Sequence, residues 1–211
     1  MSQSKKYQFA ILYEPRQLFN HAARQCIEAS GYPVNNIYPD GIIENVFSFN
    51  NPDVLIAVGL SGAGQELYTL LRIIHQTTEY PVNLVVWLPE QDKLLANLMR
   101  AMGVNSMIRE IHLTEELPLR LNNPLFFSPY FPVRSEPLSR GGVKCKLSRT
   151  ELDIIIDSAC GLNAREIAVS RHLSYKTIFA HIHNARVKLS LEDRISWFNL
   201  LSGLQMIATK K

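Results

Sequence analysis

Short apolar runs alternate with amphipathic stretches through the first half of the chain. Gln8 to Tyr13, Val54 to Val58 and Asn83 to Leu88 are β-branched or otherwise apolar and too short for helices, so they predict strands. Between them, Leu18, Ala22 and Cys26 recur at i, i+4 and i+8, and Leu67, Leu70, Leu71 and Ile74 share one narrow helical face. Leu94, Leu95, Leu98, Met99 and Met102 repeat that pattern, with Gly103 as a C-cap and a short strand over Ser106 to Arg109. A weaker unit, Asn35 to Tyr38 followed by a helix near Gly41 to Phe49, fills the gap. A fifth helix has Thr114 as its cap and Glu115 and Glu116 at its positive end, and Pro118 with Asn122-Asn123 limits it to about two turns. Strand and helix alternating five times predict a doubly wound parallel sheet with right-handed crossovers.

The texture then breaks. Prolines 118, 124, 129, 132 and 137 and the pair Gly141-Gly142 exclude regular structure, while Phe126, Phe127, Tyr130 and Phe131 are too apolar for a free linker. The first half of this segment is expected to dock on the α/β body. Residues 1–133 then form one domain, 134–146 a tether, and 147–211 a second, wholly helical domain.

In that second domain four helices are expected. Ser148-Arg-Thr-Glu151 is a capping box and opens a helix carrying Leu152, Ile155, Ile156 and Ala159 inward, stopped by Gly161. Asn163-Ala-Arg-Glu166 is a similar start for a second helix that runs out near His172. Ser174 caps a third, whose Ile178, Ile182, Ala185 and Leu189 fall within an arc of roughly 60°. Ser190 is expected to open a fourth, running to about Ile207. Two short helices joined by a tight turn, the second capped and amphipathic, describe a helix-turn-helix.

Opposite the buried stripe of the third helix lie Lys176, Phe179, Ala180, His183 and Val187, with Asn184, Lys188 and Arg186 beside them and Thr177 near the start. The major groove admits an α-helix and presents a distinct pattern for each base pair. His183 and Asn184 suit base edges, and Phe179 and Ala180 suit thymine methyls. Lys176, Lys188, Arg165, Arg171 and further out Lys144, Lys146 and Arg149 suit phosphates, which set affinity and register.

Charge supports that division. Residues 1–134 carry ten Lys/Arg against twelve Asp/Glu, a net of −2, whereas residues 135–211 carry twelve against seven, a net of +5. A basic tail domain on a slightly acidic body is the asymmetry of a chain that meets double-stranded DNA with one part. Charged residues at 19% and apolar residues at 46% exclude a disordered chain. No apolar run approaches the ~20 residues of a membrane span, and the start leads into no signal-peptide core. A cytoplasmic chain is expected. Cys26, Cys145 and Cys160 form no Cys-x-x-Cys pair, so neither a disulfide nor a zinc site is expected; Cys145 sits between two lysines that favour its thiolate.

The stretches Leu147-Ser-Arg-Thr-Glu151, Gly161-Leu-Asn-Ala-Arg-Glu-Ile-Ala168, Leu173-Ser-Tyr-Lys-Thr-Ile-Phe-Ala-His181 and Lys188-Leu189 together resemble the LuxR/FixJ-type DNA-binding domain. The tail Ile195-Ser-Trp-Phe-Asn-Leu-Leu-Ser-Gly-Leu204 is most similar to the RcsB-like branch of that family. The resemblance implies a phosphoreceiver upstream, and the five α/β units have that shape. The implied chemistry is incomplete. A receiver places an acidic pair after its first strand to hold Mg²⁺ and a phosphoacceptor aspartate at the end of its third. Here the first strand ends Tyr13-Glu14-Pro15, and Ala57 or Val58 stands where the acceptor belongs, with Asp53 too early. Trp87 replaces a Thr or Ser, and Arg109 or Glu110 falls at the lysine position. The sequence therefore predicts a degenerate receiver with no catalytic residue, no metal and no cofactor, coupled to a DNA-binding regulator.

Other readings stay open. Gly59-Leu-Ser-Gly-Ala-Gly64 sits between strand and helix but lacks the glycine of a nucleophile elbow and the lysine of a phosphate loop, which leaves a plain connection or a small-ligand site. His181 and His183 point to different faces and do not make a zinc pair; His181 packs under the helix. The last helix is apolar on two sides: Leu191, Ile195 and Phe198 on one, Trp197, Leu200, Leu201 and Leu204 on the other. A small domain cannot cover both. The second face either meets a partner, which is a copy of the chain or an RcsB-like response regulator as the resemblance implies, or is covered by the linker or the N-terminal domain. A conventional phosphoactivated regulator and a partner-binding adaptor without DNA contacts remain the alternatives.

Overall fold

A computed structural model describes residues 9–36, 54–80, 83–89, 93–122 and 146–209. The chain runs β1 (Phe9–Tyr13), α1 (Gln17–Ala29), β2 (Val34–Asn36), β3 (Val54–Gly59), a 3-10 turn (Gly64–Glu66), α2 (Leu67–Thr77), β4 (Asn83–Leu88), α3 (Lys93–Met102), β5 (Ser106–Arg109), a second 3-10 turn (Glu110–His112) and α4 (Leu113–Leu121). Four helices follow: α5 (Arg149–Ala159), α6 (Ala164–Ser170), α7 (Tyr175–Lys188) and α8 (Arg194–Thr209).

The strands form one parallel sheet in the order β2-β1-β3-β4-β5. This is the doubly wound order in which sites form outside the carboxyl ends of the strands. The two-residue period of the strands sorts their side chains. Ile11, Tyr13, Ile56, Val58, Val86 and Leu88 pack with α2 and α3. Ala10, Leu12, Leu55, Ala57, Val85, Trp87 and Ile108 pack with Ala23 and Ile27 of α1 and Leu113, Leu117 and Leu121 of α4. Every residue of β3 is buried, as its unbroken apolar run requires of a central strand covered on both faces.

Chain reversals follow from local hydrogen bonding. Gly103, at φ +96°, ends α3 with Val104 N–H donating to Met99 O at 3.0 Å, and Gly161 ends α5 in the same way. Both expected capping boxes form, Ser148 with Glu151 and Asn163 with Glu166, and the Ser174 hydroxyl accepts from Thr177 N–H at 3.0 Å. Two boundaries differ from expectation. The fifth helix of the α/β part begins at Leu113 behind a 3-10 turn, so Thr114 lies inside it and caps nothing; Pro118 is also inside, and the Thr114 carbonyl that it cannot reach faces the Cys26 thiol at 4.0 Å. Ser190 is the left-handed residue ending α7 (φ +58°), and Asp193 opens the last helix instead, its carboxylate accepting from Ser196 N–H at 2.6 Å. The expected helix near Gly41 to Phe49, the aromatic segment Phe126 to Phe131, Cys145 and the tether except Lys146 lie outside the described residues.

The helical part seats on α2 and α3. Leu147 enters between them: its N–H donates to Ala101 O at 2.8 Å, and its carbonyl accepts from the buried His75 Nε2 at 2.7 Å. Arg72 on α2 pairs with Asp153 on α5 at 2.7 Å. Apolar residues of α2 and α3 and those of α5 and α8 make one continuous core. Among the described residues no helix is long and apolar enough to cross a membrane.

Candidate nucleic-acid interface and switch pocket

Helices α6 and α7 pack against each other around Ile167, Ala168 and Ile178, joined by residues 171–174. His172 takes φ +53° in that turn, and Leu173 N–H returns to Ala168 O at 2.9 Å. Ile178, Ala185 and Leu189 face inward and are buried, with Ile182 half-buried beside them. That leaves Lys176, Phe179, Ala180, His183, Asn184 and Val187 exposed together along the outer face. Thr177 is half-buried, its hydroxyl shared with Ser174 at 2.7 Å. At the start of the helix the Tyr175 and Phe179 rings meet edge-on with centroids 4.5 Å apart, and the exposed Arg165 of α6 stands 5.9 Å from the Tyr175 ring. Tyr175 is thus part of this surface, though helical phase alone does not single it out.

Two cations assigned to phosphates do not stand free there. Arg171 is held by Asp157 at 2.6 Å and Asp153 at 3.5 Å; the Asp157 hydrogen bond raises its already high pKa. Lys188 donates to Glu151 Oε2 at 2.7 Å and to Lys146 O at 3.0 Å. The same Glu151 carboxylate accepts from Ser148 N–H at 2.7 Å, so capping box and ion pair share one group. Burial pushes the Glu151 pKa up, but the Lys188 hydrogen bond and the Ser148 amide outweigh it and hold it below the ordinary value. Arg186 reaches back to Glu192 O at 3.2 Å.

The last helix presents the face for which a partner contact and cover from within the chain were both expected readings. Trp197, Leu200, Leu201 and Leu204 are buried within the chain itself, packed toward α2, α3 and the Gly64–Glu66 turn. Of the two readings set side by side for that face, the structure has the N-terminal part covering it. The apolar residues left outside are Ile195, Phe198 and Met206.

At the carboxyl ends of β1, β3 and β4 lies the place where a receiver carries its chemistry. Glu14, directly after β1, has a fully buried side chain. Its Oε1 accepts from Arg16 N–H and Arg16 Nε, both at 2.9 Å; its Oε2 accepts from Arg16 Nη2 at 2.8 Å and the Trp87 indole Nε1 at 2.7 Å. Arg16 forks onward to Glu110, Nη1 to Oε2 and Nη2 to Oε1, each at 2.9 Å, and stacks 3.9 Å over the Phe19 ring. Burial works against its charge, yet the two carboxylates prevail and raise its pKa further. The β3 position turned toward Glu14 is Gly59, paired with Trp87 in register, rather than Ala57 or Val58. A Cβ on Gly59 would collide with Glu14 Oε2. Next door, Tyr13 donates to Glu66 Oε2 at 3.1 Å, and burial together with Glu66 pushes its phenol far up.

Magnesium needs hard oxygen ligands with free lone pairs and room for several waters. Each Glu14 oxygen already accepts two hydrogen bonds, and no acceptor carboxylate projects from the end of β3, so these residues do not fit the ion. The sequence marks Glu14 as the one carboxylate retained after β1, and Trp87 and Glu110 as departures, one at a time. It does not single out Arg16, which joins them.

No protein-family model and no curated protein matches the chain. Solved structures do. An RcsB response regulator in complex with DNA superposes with a TM-score of 0.51 at 22% identity, over 93% of this chain and 99% of that one. The fold is that of RcsB. A structure of two RcsB dimers bound to two parallel DNAs gives 0.50 at 20% identity, over 93% and 98% of the two chains. RcsB from Salmonella enterica serovar Typhimurium, bound to promoter DNA in the presence of a phosphomimetic, gives 0.50 at 17%, over 94% and 100%. At these identities the likeness to RcsB is one of fold, extending over both the α/β and the helical part.

Proposed function

We propose that the chain is a sequence-specific DNA-binding transcriptional regulator that works without aspartyl phosphorylation. Helix α7 enters the major groove. Its exposed row carries the reading: His183 and Asn184 on base edges, Phe179, Ala180 and Val187 on thymine methyls, and Lys176 and Arg165 on phosphates. The single observation that supports this best is that the whole row stays uncovered while Ile178, Ala185 and Leu189 on the opposite face of α7 are buried against the rest of the domain. Lys188 and Arg171 hold the domain together rather than the DNA, so affinity is modest and comes from pairing two copies. The partner is a second copy or an RcsB-like response regulator, bound to half-sites about one helical turn apart in the cytoplasm. No catalytic step is proposed.

Genome-wide DNA occupancy, followed by gel shift on the recovered duplexes, tests the reading. Asn184→Ala and His183→Ala should relax base preference, and Lys176→Ala should weaken binding evenly and lower the salt slope by about 1. Failure to shift any duplex, alone or mixed with an RcsB-like regulator, overturns it. A phosphoryl adduct from acetyl phosphate would restore the conventional regulator. One observation favours an adaptor as second reading: Tyr175 and Phe179 make the start of the outer face aromatic, as a protein contact would be. An adaptor tolerates Lys176→Ala without loss of regulation.

A further inference from the structure

The pocket beneath Gly59 lacks an acceptor, but it is not simply eroded. It contains two carboxylates on separate loops, Glu14 after β1 and Glu110 after β5, both turned on the same point. Left alone, they would repel, and one of them is fully buried. Two carboxylates turned on one point call for a positive charge between them, the part that a divalent cation plays beside the acidic pair of a receiver. Here a guanidinium occupies the point, bidentate to each carboxylate and roofed by Phe19.

We propose that Arg16 is a built-in replacement for the divalent cation, closing the pocket to metal permanently. This rests on the reading of an α/β part that works without aspartyl phosphate, and it deepens that reading. Three features favour it over an incidental surface ion pair. Arg16 is two residues from Glu14, so its charge sits there at a high effective concentration and cannot diffuse away. Its fork makes two contacts to each carboxylate, and unlike a lysine it keeps its charge under burial. Finally, Gly59 and Trp87 complete the fit: glycine clears the space that Glu14 Oε2 fills, and the indole N–H saturates the last lone pair. The consequence is a fixed arrangement of the loops after β1 and β5. Beside them, Tyr13 grips Glu66 on the turn that packs against α8, so the closed pocket borders the seat of the helical part.

Manganese serves as the probe, followed by loss of its free-ion electron paramagnetic resonance signal in the full chain. Wild type should take up none at millimolar concentration, and its melting temperature should be the same in Mg²⁺ as in a chelator. Arg16→Ala, which leaves Glu14 and Glu110 facing each other, should bind one Mn²⁺ per chain. Adding Glu110→Gln should abolish that uptake. If Arg16→Ala folds only when Mn²⁺ is supplied, the rescue is equally the expected result. Uptake by wild type that Glu14→Gln removes overturns the proposal, as does an Arg16→Ala chain that neither binds Mn²⁺ nor is rescued by it. Neither readout involves DNA. A wild type that shifts DNA, takes no phosphate and yet holds Mn²⁺ at Glu14 fails this proposal alone; one without DNA affinity fails the regulator reading alone.

Discussion

Replacing Lys188 with methionine keeps the aliphatic stem and removes two hydrogen bonds, one to a carboxylate that is 5% exposed and one to a backbone carbonyl. Breaking a fully buried pair costs about 3–5 kcal/mol because the surviving charge stays unpaired. Lys188 is 20% exposed and Glu151 keeps the Ser148 amide, so water and that hydrogen bond recover part of the loss. The expected cost at pH 7 is about 2 kcal/mol, or roughly 4–8 °C in melting temperature for a chain of this size. The pH dependence carries a sign. Glu151 titrates below its ordinary value in the folded chain, so its contribution is complete above the unfolded carboxylate pKa near ~4.3 and fades as pH falls through the lower folded value. The gap between wild type and Lys188→Met should therefore be full at neutral pH and close in acid. Thermal melts across that range, with Glu151→Gln completing a double-mutant cycle, measure it. An unchanged melting temperature, or the same loss in the Glu151→Gln background, refutes the pairing. A DNA salt slope lowered by ~1 in the folded variant would put the ammonium back on a phosphate.

Leu204→Asp puts a charge into the seat between α8 and the sheet's helices, where Leu204 is 1% exposed, and should destabilise or undock the chain rather than merely separate protomers; a folded monomer by light scattering and circular dichroism would return that face to a partner. Gly59→Ala should cost about 1–3 kcal/mol in urea unfolding because its methyl group displaces Glu14, and no loss would mean the pocket is loosely packed. Ser174→Ala removes the cap of α7 and should cost about 1 kcal/mol while leaving base preference intact, since the hydroxyl faces the helix's own amides; an altered preference in a binding-site selection would contradict that placement.

Much was legible in the residues. The alternation of apolar runs and amphipathic stretches located the strands β1, β3, β4 and β5, because a parallel sheet buried on both faces needs those continuous runs. Serine or asparagine followed three residues later by glutamate marked α5 and α6, since a capping box is a contact between near neighbours in the chain. The exposed row of α7 followed from helical phase. The errors were also local: Thr114 and Ser190 are competent caps by type, yet an upstream 3-10 turn and a left-handed residue ending α7 displaced both.

Periodicity can say that a face is apolar or a side chain charged, since both are properties of consecutive residues. It cannot say what that face or charge meets when the partner lies far along the chain. Arg16 and Glu110 are 94 positions apart, Trp87 and Glu14 are 73, and Lys188 and Glu151 are 37. The sequence alone determined the two architectures, the caps of α5, α6 and α7 and the outer face of α7. Only the packing of α2, α3 and α8 decided that the chain covers the Trp197 and Leu204 face of its own last helix. Likewise, only the convergence of the strand ends decided that Arg16 bridges Glu14 and Glu110.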